Sequence, residues 1–248
     1  MISQLFQNML KIVLLDPSLR DNKNNPSFNL GDLIIFDSVK KQLDEIFGVY
    51  ELIRISNHIP VPKHMFQEIK TADYIFVGGT NRLQSNTKNM RQCGFYRNKG
   101  LLWFIMPRIT NIILLSVGWG WRSGNPSTKL RLFYKKALSK DIIQSTRDEY
   151  SHQLLQNTGI KNTLNTTCVT LWGIDGYATR RKKMYPNCIF MLTDYDQNPT
   201  SDNVLIELLV AHFSNKIVFF PQGNDDLKYI KTLDAYVKYK HLITLLPH

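Results

Sequence analysis

The stretch PSFNLGDLIIFDSV, residues 26–39, puts a Gly-Asp pair directly ahead of an apolar run. It follows the apolar pentapeptide KIVLL (11–15) across a polar loop, DPSLRDNKNNPSF. A short aliphatic run, a polar loop and a longer run with its apolar residues near one face read as strand, loop and helix. The helix is expected over DLIIFDSVKKQLDEIF, residues 32–47, where Leu33, Ile34, Val39, Leu43 and Phe47 fall near one face.

The same alternation repeats along the chain. Further strands are expected at YELIRI (50–55), DYIFVG (73–78), NIILLSV (111–117), DIIQS (141–145) and CVTLW (168–172), with helices over 63–70, 96–107, 127–138 and 147–159. The last helix meets Gly159, a residue suited to ending it. After ATRRKKMYPN comes a second set: strand 188–195, helix 202–214, strand 216–221, helix 224–236 and strand 241–247. Strands that alternate with helices imply parallel sheets with right-handed crossovers. The expectation is an α/β protein of two Rossmann-like domains, residues 1–176 and 177–248, the second incomplete.

Composition narrows the possibilities. The 248 residues are 43% hydrophobic and 21% charged, ordinary for a globular chain. No apolar run reaches the ~18 residues of a membrane span, and the N-terminus lacks the charged region that opens a signal peptide. Cys93, Cys168 and Cys188 are an odd, widely spaced set that fits neither a disulfide framework nor a zinc site and suggests a reducing compartment. The histidines His152, His212 and His248 form no ligand pair, so neither metal nor cofactor is expected. Lys and Arg number 31 against 20 acidic residues, a net of +11. Anionic substrate, anionic membrane or nucleic acid would each suit that charge. No zinc finger, RNP pattern or basic recognition helix supports nucleic acid.

Ligands of such sheets sit in loops at the carboxyl ends of strands. Here those loops read NLGD (29–32), VGGTNR (77–82), SVGWGWRSG (116–124) and STRDEYS (145–151). Glycine lets the backbone approach a ligand closely, and a helix N-terminus offers N–H groups to an anion. Two loops add Arg82 and Arg122. Segments 29–32, 78–82, 118–122 and 146–151 are therefore expected to meet on one edge of the first sheet.

SFNLGDLII, ADYIFVGGTNRL, LLSVGWG and QSTRDEYSHQLLQNTGI, in this order, resemble the polysaccharide pyruvyl transferase family over most of residues 11–175. The family pattern is Asn-x-Gly-Asp, an Asp-hydrophobic-Gly-Gly turn, a Gly-x-Gly turn, and Arg-Asp-x-x-Ser before Leu-Leu-x-x-x-Gly. By position it covers Asn29, Gly31, Asp32, Gly78, Gly79, Gly118, Gly120, Arg147, Asp148 and Ser151. The resemblance implies two domains facing across a cleft, GT-B-like. It also implies transfer of the enolpyruvyl unit of phosphoenolpyruvate to a sugar, usually as a cyclic ketal. The partners it implies are phosphoenolpyruvate and a glycan or lipid-linked sugar. The chain departs from the family in two places. Thr80 replaces a third glycine, and no Arg-Leu-His segment, implicated in holding phosphoenolpyruvate, occurs. Because the chain stops on HLITLLP, the expectation is a truncated and impaired form of a longer enzyme.

The chemistry assigns roles. Arg147, with Arg82 or Arg122, would hold carboxylate and phosphate, since guanidinium is a bidentate donor. Asp32 and Asp148 would serve the sugar hydroxyls. Two readings of Asp32 stand: a helix cap, worth ~0.3–1 kcal/mol at the helix dipole, or an acceptor contact. It would repel a phosphate. The basic run Arg180, Arg181, Lys182 and Lys183 reads as an interdomain loop or as a contact to an anionic membrane bearing the acceptor, which would put the enzyme in the cytoplasm, peripheral at the inner face. The rival functions are a GT-B glycosyltransferase using a nucleotide sugar and a non-enzymatic basic binding protein. GWGWRSG spaces its glycines wrongly for a dinucleotide fold and follows the fourth strand rather than the first.

Overall fold

A computed structural model describes residues 9–86, 109–120, 124–174, 187–213 and 216–247. The chain divides into two compact units, Met1–Ser27 with Asp32–Asp175, and Phe28–Gly31 with Gly176–His248.

The first unit runs β1 (Leu10–Asp16), α1 (Leu30–Phe47), β2 (Tyr50–Ser56), α2 (Phe66–Thr71), β3 (Tyr74–Gly78), β4 (Asn81–Leu83), β5 (Ile112–Leu115), β6 (Gly118–Trp119), α3 (Thr128–Ala137), β7 (Gln144–Thr146), α4 (Glu149–Asn157) and β8 (Thr163–Asn165). Four strands make a parallel sheet in the order β2-β1-β3-β5. β1 is central, and Ile12–Asp16 are at most 1% exposed. A parallel strand covered on both faces reads as an unbroken apolar run, as KIVLL does. Its side chains alternate: Ile12 and Leu14 pack with Ile35, Val39 and Leu43 of α1, while Val13 and Leu15 join Phe133 of α3 and Leu155 of α4. Each such side chain contributes about 1.5–3 kcal/mol on burial. That apolar stripe, more than intrinsic propensity, holds α1 in place. Helices on both faces of a parallel sheet make the unit Rossmann-like.

β7 and β8 form their own parallel ladder, fastened beside β5 by side chains and backbone together. Gln144 Oε1 accepts from Leu114 N at 2.9 Å, and Ser145 Oγ accepts from Ser116 N at 2.8 Å. One backbone bridge, Val117 with Thr146, completes the join. β4 and β6 pair as a second short parallel ladder.

The second unit runs β9 (Asn187–Phe190), α5 (Pro199–His212), β10 (Lys216–Phe219), α6 (Asp226–Ile230), α7 (Asp234–Tyr239) and β11 (Ile243–Leu245), with a parallel sheet ordered β11-β10-β9. Phe190, Ile206, Ile217, Phe219 and Ile230 fill its core. Asp226 is 1% exposed and accepts from the backbone N–H of Asp194, Gln222 and Gly223 at 2.7–2.9 Å, so one carboxylate ties together the loops after β9 and β10.

Several elements differ from expectation. CVTLW is not a strand: Val169–Leu171 is a 3-10 turn, because Thr167 adopts φ +62° and Ser116 Oγ takes Val169 N. β7 pairs instead with Thr163–Asn165, a short and partly exposed segment. DIIQS becomes strand only at Gln144. CIFMLTDY ends its strand at Phe190, where Asp226 captures the following loop. Residues 224–236 are not one helix, since Leu233 is extended and buried between α6 and α7. The helix expected at 96–107 and the basic run 180–183 lie outside the described residues. Among the described residues no helix is long and apolar enough to cross a membrane.

Candidate active site

Strand order turns at β1: its neighbours are β2 on one side and β3 on the other. In sheets of this kind the crevice opens at the carboxyl ends of strands beside such a turn. At that edge Asp16 is fully buried. Its Oδ2 accepts from Arg54 Nε at 2.6 Å and its Oδ1 from Ser18 N at 2.7 Å. The Arg54 guanidinium lies 3.8 Å from the Phe36 ring centre. A buried charge persists only when paired and hydrogen-bonded in this way.

Above that pair sits a connected polar group. Asp32 Oδ2 accepts from Ser27 Oγ at 2.7 Å and lies 3.4 Å from His58 Nε2. His58 Nε2 has a shorter partner, Pro17 O, at 2.6 Å. His58 Nδ1 faces Arg82 Nη2 at 2.8 Å, and the same nitrogen donates to Asn57 Oδ1 at 2.7 Å. Both protons of Arg82 Nη2 are thus used, which fixes the plane of its guanidinium. Asn57 is 2% exposed, and its Nδ2 has no hydrogen-bond partner among the described residues.

The next residue back along β4 serves a second group. Asn81 pairs with Gly118, and Asn81 Oδ1 accepts from Arg147 Nη1 at 3.4 Å. A Cβ on Gly118 would collide with Asn81 Oδ1, so glycine there lets Asn81 and Arg147 meet. Gly120 likewise makes room for Gln84. Gly78 ends β3 against Leu14 and Val39. Gly79 has φ +53° and faces Ile35 of α1, where a side chain would clash. Thr80 follows at φ +62°, a conformation that costs an L-residue roughly 1–2 kcal/mol.

The remaining expected residues do local work. α1 starts at Leu30, two residues earlier than expected, and its cap is Asn29, whose Oδ1 accepts from Gly31 N at 2.8 Å. Asp32 therefore does not cap; it turns to Ser27 and His58. Asn29 and Gly31 belong to the second unit, where Gln222 Nε2 donates to Asn29 Oδ1 at 3.1 Å and Gln222 O accepts from Leu30 N at 2.9 Å. Asp148 caps α4 by accepting from Ser151 N at 2.7 Å, and Ser151 Oγ accepts from Trp119 N at 2.7 Å. Arg122 lies outside the described residues. The first unit thus brings Asp32, Gly78–Arg82, Gly118–Gly120 and Arg147–Ser151 to one edge. Sequence reading passed over Asp16, Arg54, Asn57 and His58. The signal for the last two was SNH directly after YELIRI, a strand-end loop left unread.

The family model for polysaccharide pyruvyl transferase matches residues 29–245, nearly the whole chain. The chain belongs to that transferase family. No curated protein and no solved structure matches it.

Proposed function

We propose that the chain transfers a pyruvyl group from phosphoenolpyruvate to a sugar of a cell-surface or exported polysaccharide, forming a cyclic ketal. The observation that carries the reading is Arg82, held in plane by Asn57 and His58 one residue from the Asn81–Arg147 pair. Two arginines presented at one sheet edge suit a ligand bearing both carboxylate and phosphate.

In this reading Arg82 and Arg147 hold the donor, with Arg122 and the backbone at Gly78, Gly79, Gly118 and Gly120 beside it. Two sugar hydroxyls add to the central carbon of phosphoenolpyruvate. Two C–O bonds form and the C–O bond to phosphate breaks. Of the two hydroxyl protons, one goes to the methylene carbon, making it methyl, and one leaves with phosphate. Asp32 and Asp148 are the carboxylates assigned to the hydroxyls. Arginines beside the departing phosphate stabilise its charge. The two units are read as the halves of a GT-B-like transferase, in the cytoplasm at the inner face of a membrane that carries the acceptor.

The test is incubation of the purified chain with phosphoenolpyruvate and a panel of soluble and lipid-linked glycans. Phosphate release should match ketal formation one for one, and Arg82→Lys and Arg147→Lys should each lower kcat/KM for phosphoenolpyruvate. Turnover of nucleotide sugars instead would make the chain a glycosyltransferase. Unchanged kcat/KM in both variants would move the donor site elsewhere.

A further inference from the structure

A groove of about 600 Å³ opens in the first unit between the last turn of α3 and the loop joining α4 to β8. Leu132, Leu138 and Ile160 give it apolar walls, and Lys135, Lys136, Lys140 and Lys161 line it with positive charge. Among the described residues no acidic side chain lines it, and none of the four lysines has an ion pair. Lysines in the last turn of a helix are favoured by its dipole, which accounts for Lys135 and Lys136. It does not account for Lys140 and Lys161, which arrive on two separate loops.

The groove lies at the amino ends of β7 and β8, where Gln144 N donates to Asn162 O at 2.9 Å. Arg147 follows the carboxyl end of β7, so the groove is distinct from the candidate active site. Its surroundings are unusually apolar for solvent-facing loops. Ile143 and Leu164 are each 54% exposed, and Leu132 and Ile142 are also exposed. Ile142 and Ile143 come two and three residues after Lys140, and Leu164 three after Lys161. Exposed aliphatic side chains interleaved with lysines match the boundary of an anionic bilayer, where apolar groups enter the acyl region and ammonium groups meet phosphates.

We propose that this groove binds the phosphate headgroup of an anionic lipid and seats the first unit on a membrane surface. The inference uses nothing from the transferase reading. The test is co-sedimentation of the full chain with phosphatidylglycerol–phosphatidylcholine vesicles and with phosphatidylcholine alone. Binding is expected to the first only and to weaken as salt rises. Lys135→Gln with Lys136→Gln, and separately Lys140→Gln with Lys161→Gln, should each weaken it, roughly five-fold per lysine. Ile143→Ser should weaken it as well. A control pair, Lys63→Gln with Lys70→Gln, removes equal charge elsewhere and should bind nearly as the parent does. Thermal melts identify the folded variants to be compared. The proposal fails if anionic vesicles do not bind, or if the control pair loses as much as the groove variants. It also fails if dissolved glycerol phosphate, at the same phosphate concentration, displaces the vesicles, because the site would then be one for free anions.

Discussion

Arg82 donates to Nδ1 of His58 at 2.8 Å, and that contact sets the tautomer of the ring. A guanidinium only donates and the Pro17 carbonyl only accepts, so the ring proton sits on Nε2. His58 is thereby an acceptor that steadies Arg82. We predict that His58→Phe, which keeps the volume and removes the acceptor, lowers kcat/KM for phosphoenolpyruvate about a hundredfold, the scale of a misplaced substrate-binding group. His58→Asn, able to accept again, should recover part of the loss. Equal kinetics for wild type and His58→Phe would show that Arg82 needs no such support.

Gln222 occupies the space that a side chain at position 31 would need. Gly31→Ala must displace it and break its bond to Asn29, at a cost of about 1 kcal/mol. In a Gln222→Ala background the clash with Gln222 is gone and only a tight approach to Asn29 Oδ1 at 3.0 Å remains, so the better helix propensity of alanine should make the same change stabilising by up to ~1 kcal/mol. Urea denaturation of the four proteins in the cycle measures the coupling. A coupling near zero would refute the account.

Thr80 stands where the family favours glycine and adopts a left-handed backbone, φ +62°. Its carbonyl accepts from Gly118 N at 2.8 Å, a bond that any residue there retains. Thr80→Gly removes a left-handed penalty of roughly 1–2 kcal/mol and gives back part of it as chain entropy. The expected result is a gain of about 1 kcal/mol in chemical denaturation. A loss would mean that the threonine side chain contributes more than its backbone strain costs.

Asp194 has its carboxyl pushed above the usual range, first by burial and then by its hydrogen bond to and the charge of Asp226. The folded unit therefore holds this proton more tightly than the unfolded chain does. Its contribution to stability is present below the unfolded-state pKa and is lost as pH rises through the folded one. Asp194→Asn should be more stable than wild type at neutral pH. The difference should shrink as pH falls below the carboxylate range, as read from denaturant midpoints across that window. A difference independent of pH would rule out Asp194 as its source.

The central strands were readable because burial on both faces demands unbroken apolar runs, and KIVLL, YIFVG and IILL have that form. The ribbon of β7 and β8 was harder to read. Thr163–Asn165 is paired through its backbone while its side chains stay largely exposed, so no hydrophobic signal marks it. CVTLW has the apolar content of a strand, but Ser116 bends it into a turn from 53 residues away. In the candidate site, the loop glycines, Arg82 and Arg147 stood out by residue type and by their place after a strand, whereas Arg54 lies inside one. His58 and Asn57 matter through the partner they hold, and a single sequence does not print partners.

The join between β5 and β7 has a consequence for how the first unit breathes. The Leu114 and Ser116 amides are shielded by side-chain oxygens of Gln144 and Ser145, whereas neighbouring strands share continuous backbone ladders. Such a seam can part by rotating two side chains and breaking the two backbone bonds at Val117, each 3.2 Å, without unzipping a long ladder. In hydrogen–deuterium exchange, the β7–β8 ribbon should open as its own foldon, at lower free energy than the four-stranded sheet. Gln144→Ala should speed deuteration of Leu114 while the β1 amides keep their protection.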